Sequence, residues 1–132
     1  MPPTDGRTCV LDASAVLAML QDEPGADVVQ ELLETAAISS VNWSEVVQKA
    51  LDSQTEIEGL RQELEALGLH ILPFTAALAE TTARLRASTR RAGLSLGDRS
   101  CLALAAVLNL PAFTADRIWP DLGLAIEIRV IR

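Results

Sequence analysis

Apolar and polar positions along this chain alternate between two rhythms. Thr8 to Leu11 is a short apolar run, too brief for a helix and therefore strand-like. Ala13 to Leu20 follows at helical spacing, and Asp22-Glu23-Pro24-Gly25 punctuates it. Val28, Val29, Leu32, Leu33 and Ala36 recur at threes and fours, predicting an amphipathic helix. Ala37 to Ser39 reads as a short strand, with Asn42 or Ser44 capping a helix that carries Val46, Val47, Ala50 and Leu51. Ile57, Leu60, Leu64 and Leu67 form a further stripe, stopped by Gly68. Leu69 to Leu72 is strand-like and closes at Pro73, after which Leu78 and Leu85 carry helical spacing on to Gly93. Leu96 to Leu108 is almost wholly apolar, as in a helix buried on several faces. Ala112 to Thr114 is a strand, and Ala125 to Val130 alternates Ile126, Ile128 and Val130 with Glu127 and Arg129.

Strands and helices in this alternation imply right-handed crossovers and a mainly parallel sheet with helices on both faces, a three-layer α/β/α sandwich. No repeat, low-complexity tract or linker interrupts it, so residues 1–132 read as one domain. Such sheets bind ligands at the carboxyl ends of their strands, near the point where strand order reverses. Asp12 and Asp116 each follow a predicted strand and are placed at that rim.

Composition narrows the field. With 49% hydrophobic residues the chain is not disordered, and no apolar run approaches the roughly 20 residues of a membrane span. The start, MPPTDGRT, lacks the basic-then-apolar shape of a secretion signal, which makes cytoplasm the expected location. Cys9 and Cys101 sit in apolar runs and read as small buried hydrophobes rather than a disulfide. One histidine and no cysteine cluster argue against structural zinc. A formal charge of −7 argues against broad adhesion to nucleic acid, so an RNA partner would need positive charge from another source.

Two further acids matter once the rim is defined. Glu45 stands at the start of a predicted helix in VNWSEVVQ, and Asp98 in LSLGDRSCLALA opens the nearly all-apolar helix. Taken singly, each is equally explained by the helix dipole, and Asp116 by a turn or cap. Taken together at one rim, they would repel by roughly 1–4 kcal/mol per pair at about 4 Å. Lys49, the only lysine, is placed one turn after Glu45 and reads as its surface partner, while Arg99 and Arg117 directly follow site aspartates and should point away. A divalent cation would neutralise the four. Oxygen ligands without histidine or cysteine suit Mg²⁺, or Mn²⁺, and such an ion supports phosphodiester hydrolysis. Arg84, Arg86, Arg90 and Arg91 in TTARLRASTRRAG are candidate RNA contacts; on a continuous helix Arg86 shares a face with Arg90, and Arg84 with Arg91. A solvated face with Glu80 paired to Arg84 explains the same cluster without RNA.

VLDASAVLAML, VNWSEVV, LSLGDRSCLALA and FTADRIW together resemble a PIN domain, more narrowly the VapC-like toxic ribonucleases of bacterial toxin–antitoxin pairs. The last two stretches, at this separation, are the most specific. The resemblance implies that Asp12, Glu45, Asp98 and Asp116 form the acidic quartet binding Mg²⁺ or Mn²⁺. It further implies that Thr114 is the hydroxyl of a T-x-D motif, that Ser14 supports the first aspartate, and that Asp121 is a fifth acid. It implies an endoribonuclease, an antitoxin whose C-terminal segment blocks the acidic pocket, and a homodimer. Other classes fit less well. A haloacid-type phosphatase wants an aspartate where Ser14 stands, and a receiver domain wants paired acids before the first helix and a late lysine; neither pattern is present. A PIN-like RNA- or protein-binding module without activity stays open. His70, Trp43 and Trp119 read as structural.

Overall fold

The apolar tripeptide Cys9–Leu11 is strand β1, buried on both faces, and the sheet extends from it in both directions. These features come from a computed structural model that describes residues 6–132; Met1–Asp5, part of the start read above for a secretion signal, lie outside the described residues. Strands β2 (Ala36–Ser39) and β3 (His70–Leu72) lie to one side, and β4 (Ala112–Thr114) and β5 (Ile128–Val130) to the other, giving the order β3-β2-β1-β4-β5. Every pairing is parallel.

The helices are α1 (Ala13–Leu20), α2 (Ala26–Leu32), α3 (Ser40–Asp52), α4 (Leu60–Ala66), α5 (Ala76–Arg84), α6 (Arg86–Thr89) and α7 (Leu96–Leu108). The period-two alternation of the strands sorts them into layers. Cys9, Leu11, Ala36 and Ile38 pack with Val16 of α1, Val29 of α2, Val46 of α3 and Leu64 of α4. Val10, Ala37 and Ala112 pack on the opposite face with Cys101, Leu102 and Leu104 of α7, with Trp119, and with the half-buried Leu78 of α5. The result is the expected α/β/α sandwich. Cys9 and Cys101 are free and buried on opposite faces of the sheet. Among the described residues no helix is long and apolar enough to cross a membrane.

Several boundaries differ from the periodicity, each for a tertiary reason. The helix expected to reach Ala36 ends at Leu32, passes through a 3₁₀ turn (Leu33–Thr35) and gives Ala36 to the sheet, where it pairs with Cys9. Strand β5 is three residues rather than six, because β4 offers it only three partners. Helix α3 starts directly off β2, capped by Ser39, whose hydroxyl accepts the Val41 N–H; Asn42 and Ser44 are not the cap. Leu51, expected in its apolar stripe, is exposed, as is Leu67 beside α4. The helix running to Gly93 breaks at Leu85 into α5, α6 and a 3₁₀ turn. Thr81, Thr82, Ser88 and Thr89 hydroxyls all donate back to carbonyls three or four residues earlier, a pattern that bends helices.

Candidate active site

Parallel strands end on one edge, and the order reverses between neighbours β1 and β4. Asp12 leaves β1 there and caps α1, accepting the Ala15 N–H at 2.8 Å. Thr114, the last residue of β4, donates its hydroxyl to Asp12 Oδ2 at 2.6 Å and accepts the Asp116 N–H at 3.0 Å. The single hydroxyl therefore joins two acids that are 104 positions apart in the sequence. Ser14 completes the link: its hydroxyl donates to Asp12 and accepts the Ala115 N–H at 2.9 Å. Asp116 closes a local turn by accepting the Ile118 N–H on Oδ1.

The other two acids come from helices whose relevant turns flank the same edge. Asp98 lies in the first turn of α7 and forms a capping box with Ser95: each residue's backbone N–H donates to the other's side chain. Glu45 is in the second turn of α3, not the first as expected, since that helix begins at Ser40. The helix-dipole explanation for Glu45 loses force, because the dipole's influence fades within one turn. Glu45 Oε1 accepts a 2.8 Å bond from Asn42 Nδ2.

Burial and neighbouring charges shift two groups here. Burial pushes the Asp12 carboxyl up to about 6; bonds from Thr114, Ala15 and Ser14 oppose the rise and the Asp98 charge adds to it. Cys101 lies behind the site on α7. Its thiol is raised well above its ordinary range, first by burial and then by Asp12, Asp98 and Glu45. Asp116 is tied to Asp12 through Thr114. The four acids do not form a finished cage: among the described residues, no three acidic, histidine or cysteine side chains are grouped to hold a metal.

What the arrangement offers is anchored carboxylates with oxygens to spare. Glu45 Oε2, Asp98 Oδ1 and Asp116 Oδ2 accept no hydrogen bond among the described residues, while the other oxygen of each is held. An all-oxygen donor set of this kind fits a hard divalent cation. The buried Asp12 fits too, because a neighbouring cation offsets the penalty that drives it toward its neutral form.

Other expectations need correcting. Lys49 makes no ion pair with Glu45; it lines a cavity of about 330 Å³ with Ser14, Asp52 and Arg132. Arg86 and Arg90 do not lie on one regular helix, because the break at Leu85 and the 3₁₀ turn from Arg90 intervene. The Glu80–Arg84 pair is absent among the described residues, and all four arginines are exposed. Asp121 is exposed in the 3₁₀ turn Trp119–Leu122, and no side-chain hydrogen bond joins it to Asp116. Arg99 and Arg117 point away as expected, donating to the carbonyls of Thr82 and Arg132. His70 opens β3 at the opposite edge of the sheet, exposed. Trp119 is fully buried.

A parallel sheet with Asp12 and Asp116 at its switch point is an α/β domain with a polar rim. Residues 9–124 match the family described as PIN domain, and the chain belongs to that family. Among curated proteins no match is found. The fold is shared with a toxin–antitoxin complex from Klebsiella pneumoniae, at TM-score 0.76 and 21% identity over 95% of this chain and 98% of that one. It is also shared with DNA-bound VapBC from Salmonella typhimurium (TM-score 0.72, 19% identity, 96% and 99% covered). FitAcB from Neisseria gonorrhoeae is a third (0.69, 21%, 92% and 96%). At these identities the likeness is one of fold.

Proposed function

We propose that this PIN-domain protein is a metal-dependent endoribonuclease and the toxin of a toxin–antitoxin pair. The observation that supports the reading is the Thr114 hydroxyl that joins Asp12 to the Asp116 backbone, with Asn42 bonded both to Glu45 and to the Gly97 carbonyl beside Asp98. Asp12 and the free oxygens of Glu45, Asp98 and Asp116 would hold Mg²⁺ or Mn²⁺. When bound, the ion would polarise the scissile phosphate and acidify a water. The chain's own contribution is placement. Thr114 and Ser14 orient Asp12, the capping box holds one Asp98 oxygen, and the Ile118 N–H holds one of Asp116. With His70 at the far edge, proton movement at the site falls to carboxylates and water.

A second reading has its own support: caps and turns account for bonds made by Asp12, Asp98 and Asp116, as they would in a PIN-like binding module without activity. One experiment separates the two. The purified protein is expected to cut single-stranded or loop RNA with Mg²⁺ or Mn²⁺ and to lose cleavage in excess EDTA. Full cleavage in EDTA would remove the metal dependence, and no cleavage with either metal would remove the nuclease reading.

The partners of the proposal are an RNA substrate, a cognate antitoxin and a second copy of the chain. The solved structures that share the fold include toxin–antitoxin complexes, which supports the antitoxin. Exposed Arg84, Arg86, Arg90 and Arg91, with no ion pair among the described residues, supply cationic surface on an acidic protein. Replacing Arg86 and Arg90 by alanine should weaken RNA binding and reduce the slope of log affinity against log salt by about one for each phosphate no longer neutralised. An unchanged slope would assign the cluster to solvation alone.

A further inference from the structure

Asn42 is almost fully buried, at 1% exposure, in the first turn of α3. Its Nδ2 donates twice: to Glu45 Oε1 at 2.8 Å and, across to α7, to the Gly97 carbonyl at 2.9 Å. The amide orientation follows from its neighbours. Turned the other way, its oxygen would face two acceptors and no donor. That orientation leaves Oδ1 buried without a hydrogen-bond partner among the described residues, so the side chain is committed to its two Nδ2 bonds. Gly97 supplies the other half of the arrangement. A Cβ at that position would meet the end of the Glu45 side chain, so the missing side chain leaves room for that carboxylate between α3 and α7.

We infer that Asn42 and Gly97 are positioning residues for Glu45. Asn42 holds Oε1 against the amino-terminal turn of α7, and Gly97 leaves the space the carboxylate occupies, so that Oε2 is presented beside Asp98. The inference rests on the metal-dependent reading above. It also accounts for why an asparagine three residues before Glu45 and a glycine directly before Asp98 flank the two acids drawn from helices. Asn42 acts through Glu45 and touches no reacting group itself.

The test is calorimetric titration of Mn²⁺ into the metal-free full chain, with thermal melts in EDTA alongside. Asn42→Ala should lower Mn²⁺ affinity by about tenfold or more, as removal of outer-shell partners does. Glu45→Gln should weaken binding at least as much. Val46→Ala, which truncates a fully buried core residue on the same helix, should lower the melting temperature and leave Mn²⁺ affinity unchanged. A merely structural asparagine would behave like Val46. Gly97→Ala keeps the inference testable should Asn42→Ala fail to fold. The Glu45 side chain can swing aside from the new methyl, so the fold is kept while the carboxylate is displaced and Mn²⁺ affinity falls. Wild-type affinity in folded Asn42→Ala or Gly97→Ala, with Glu45→Gln weakened, would overturn the inference. Wild-type affinity in Glu45→Gln as well would instead overturn the metal reading on which it rests.

Discussion

Asp98→Asn should reduce Mg²⁺-dependent RNA cleavage by about a thousandfold, equivalent to about 4 kcal/mol of lost transition-state stabilisation. Its effect on the metal-free fold should be small. The asparagine carbonyl can still accept the Ser95 N–H that Asp98 Oδ2 now accepts, so the capping box survives. Removing the negative charge also relieves the repulsion that Asp98 exerts on Asp12. Asp98→Ala separates the two roles: it loses the cap bond along with the charge and should cost about 1 kcal/mol in a thermal or urea melt. Should Asp98→Asn melt well below wild type, or retain cleavage, the acid is a cap and nothing more.

The metal-free chain should lose stability as pH rises from about 4 to about 6, and Asp12 should be the cause. Its native carboxyl titrates near 6 against an ordinary value of 3.8. Between those values the folded state binds a proton that the unfolded state has released, so unfolding becomes easier with rising pH. The contribution is fully present below about pH 3.8 and lost above about 6. At about 1.4 kcal/mol for each pH unit, the full swing is about 3 kcal/mol. Urea unfolding in EDTA at about pH 5 and about pH 7.5 should capture about half of that swing, and Asp12→Asn should flatten the difference. Saturating Mn²⁺ should flatten it too, by favouring the ionised carboxylate. A profile of the same slope in Asp12→Asn would place the titration elsewhere.

Much of the fold is legible in the sequence because its signals are local. Leu96–Leu108 is a helix at the bounds that its apolar run implies, with Ser95 ahead of it and Asn109 in a left-handed conformation behind. Ala13–Leu20 is equally clear, beginning one residue after a carboxylate able to cap it. Where local signals compete with the sheet they fail: Ala36 continues a helical spacing yet pairs with Cys9. Lys49 departs from expectation for a related reason. Spacing puts it within reach of Glu45, but Glu45 is already held by Asn42, and no sequence rule ranks those two partners.

The candidate site divides along the same line. By itself the sequence determined which residue types lie at strand ends and helix starts, because period, capping and turn chemistry act over a few residues. Asp12, Glu45, Asp98 and Asp116 could be singled out on that basis, with the resemblance to PIN domains adding the roles of Thr114 and Ser14. Only the tertiary structure decided how they meet: that one Thr114 hydroxyl serves Asp12 and Asp116, that Glu45 sits a turn deeper in its helix, and that Asn42 and Gly97 set its position. The contacts of Thr114 with Asp12 and of Asn42 with Gly97 span 102 and 55 residues of chain. Their geometry is set by how the layers pack on the sheet, which no short stretch of sequence encodes.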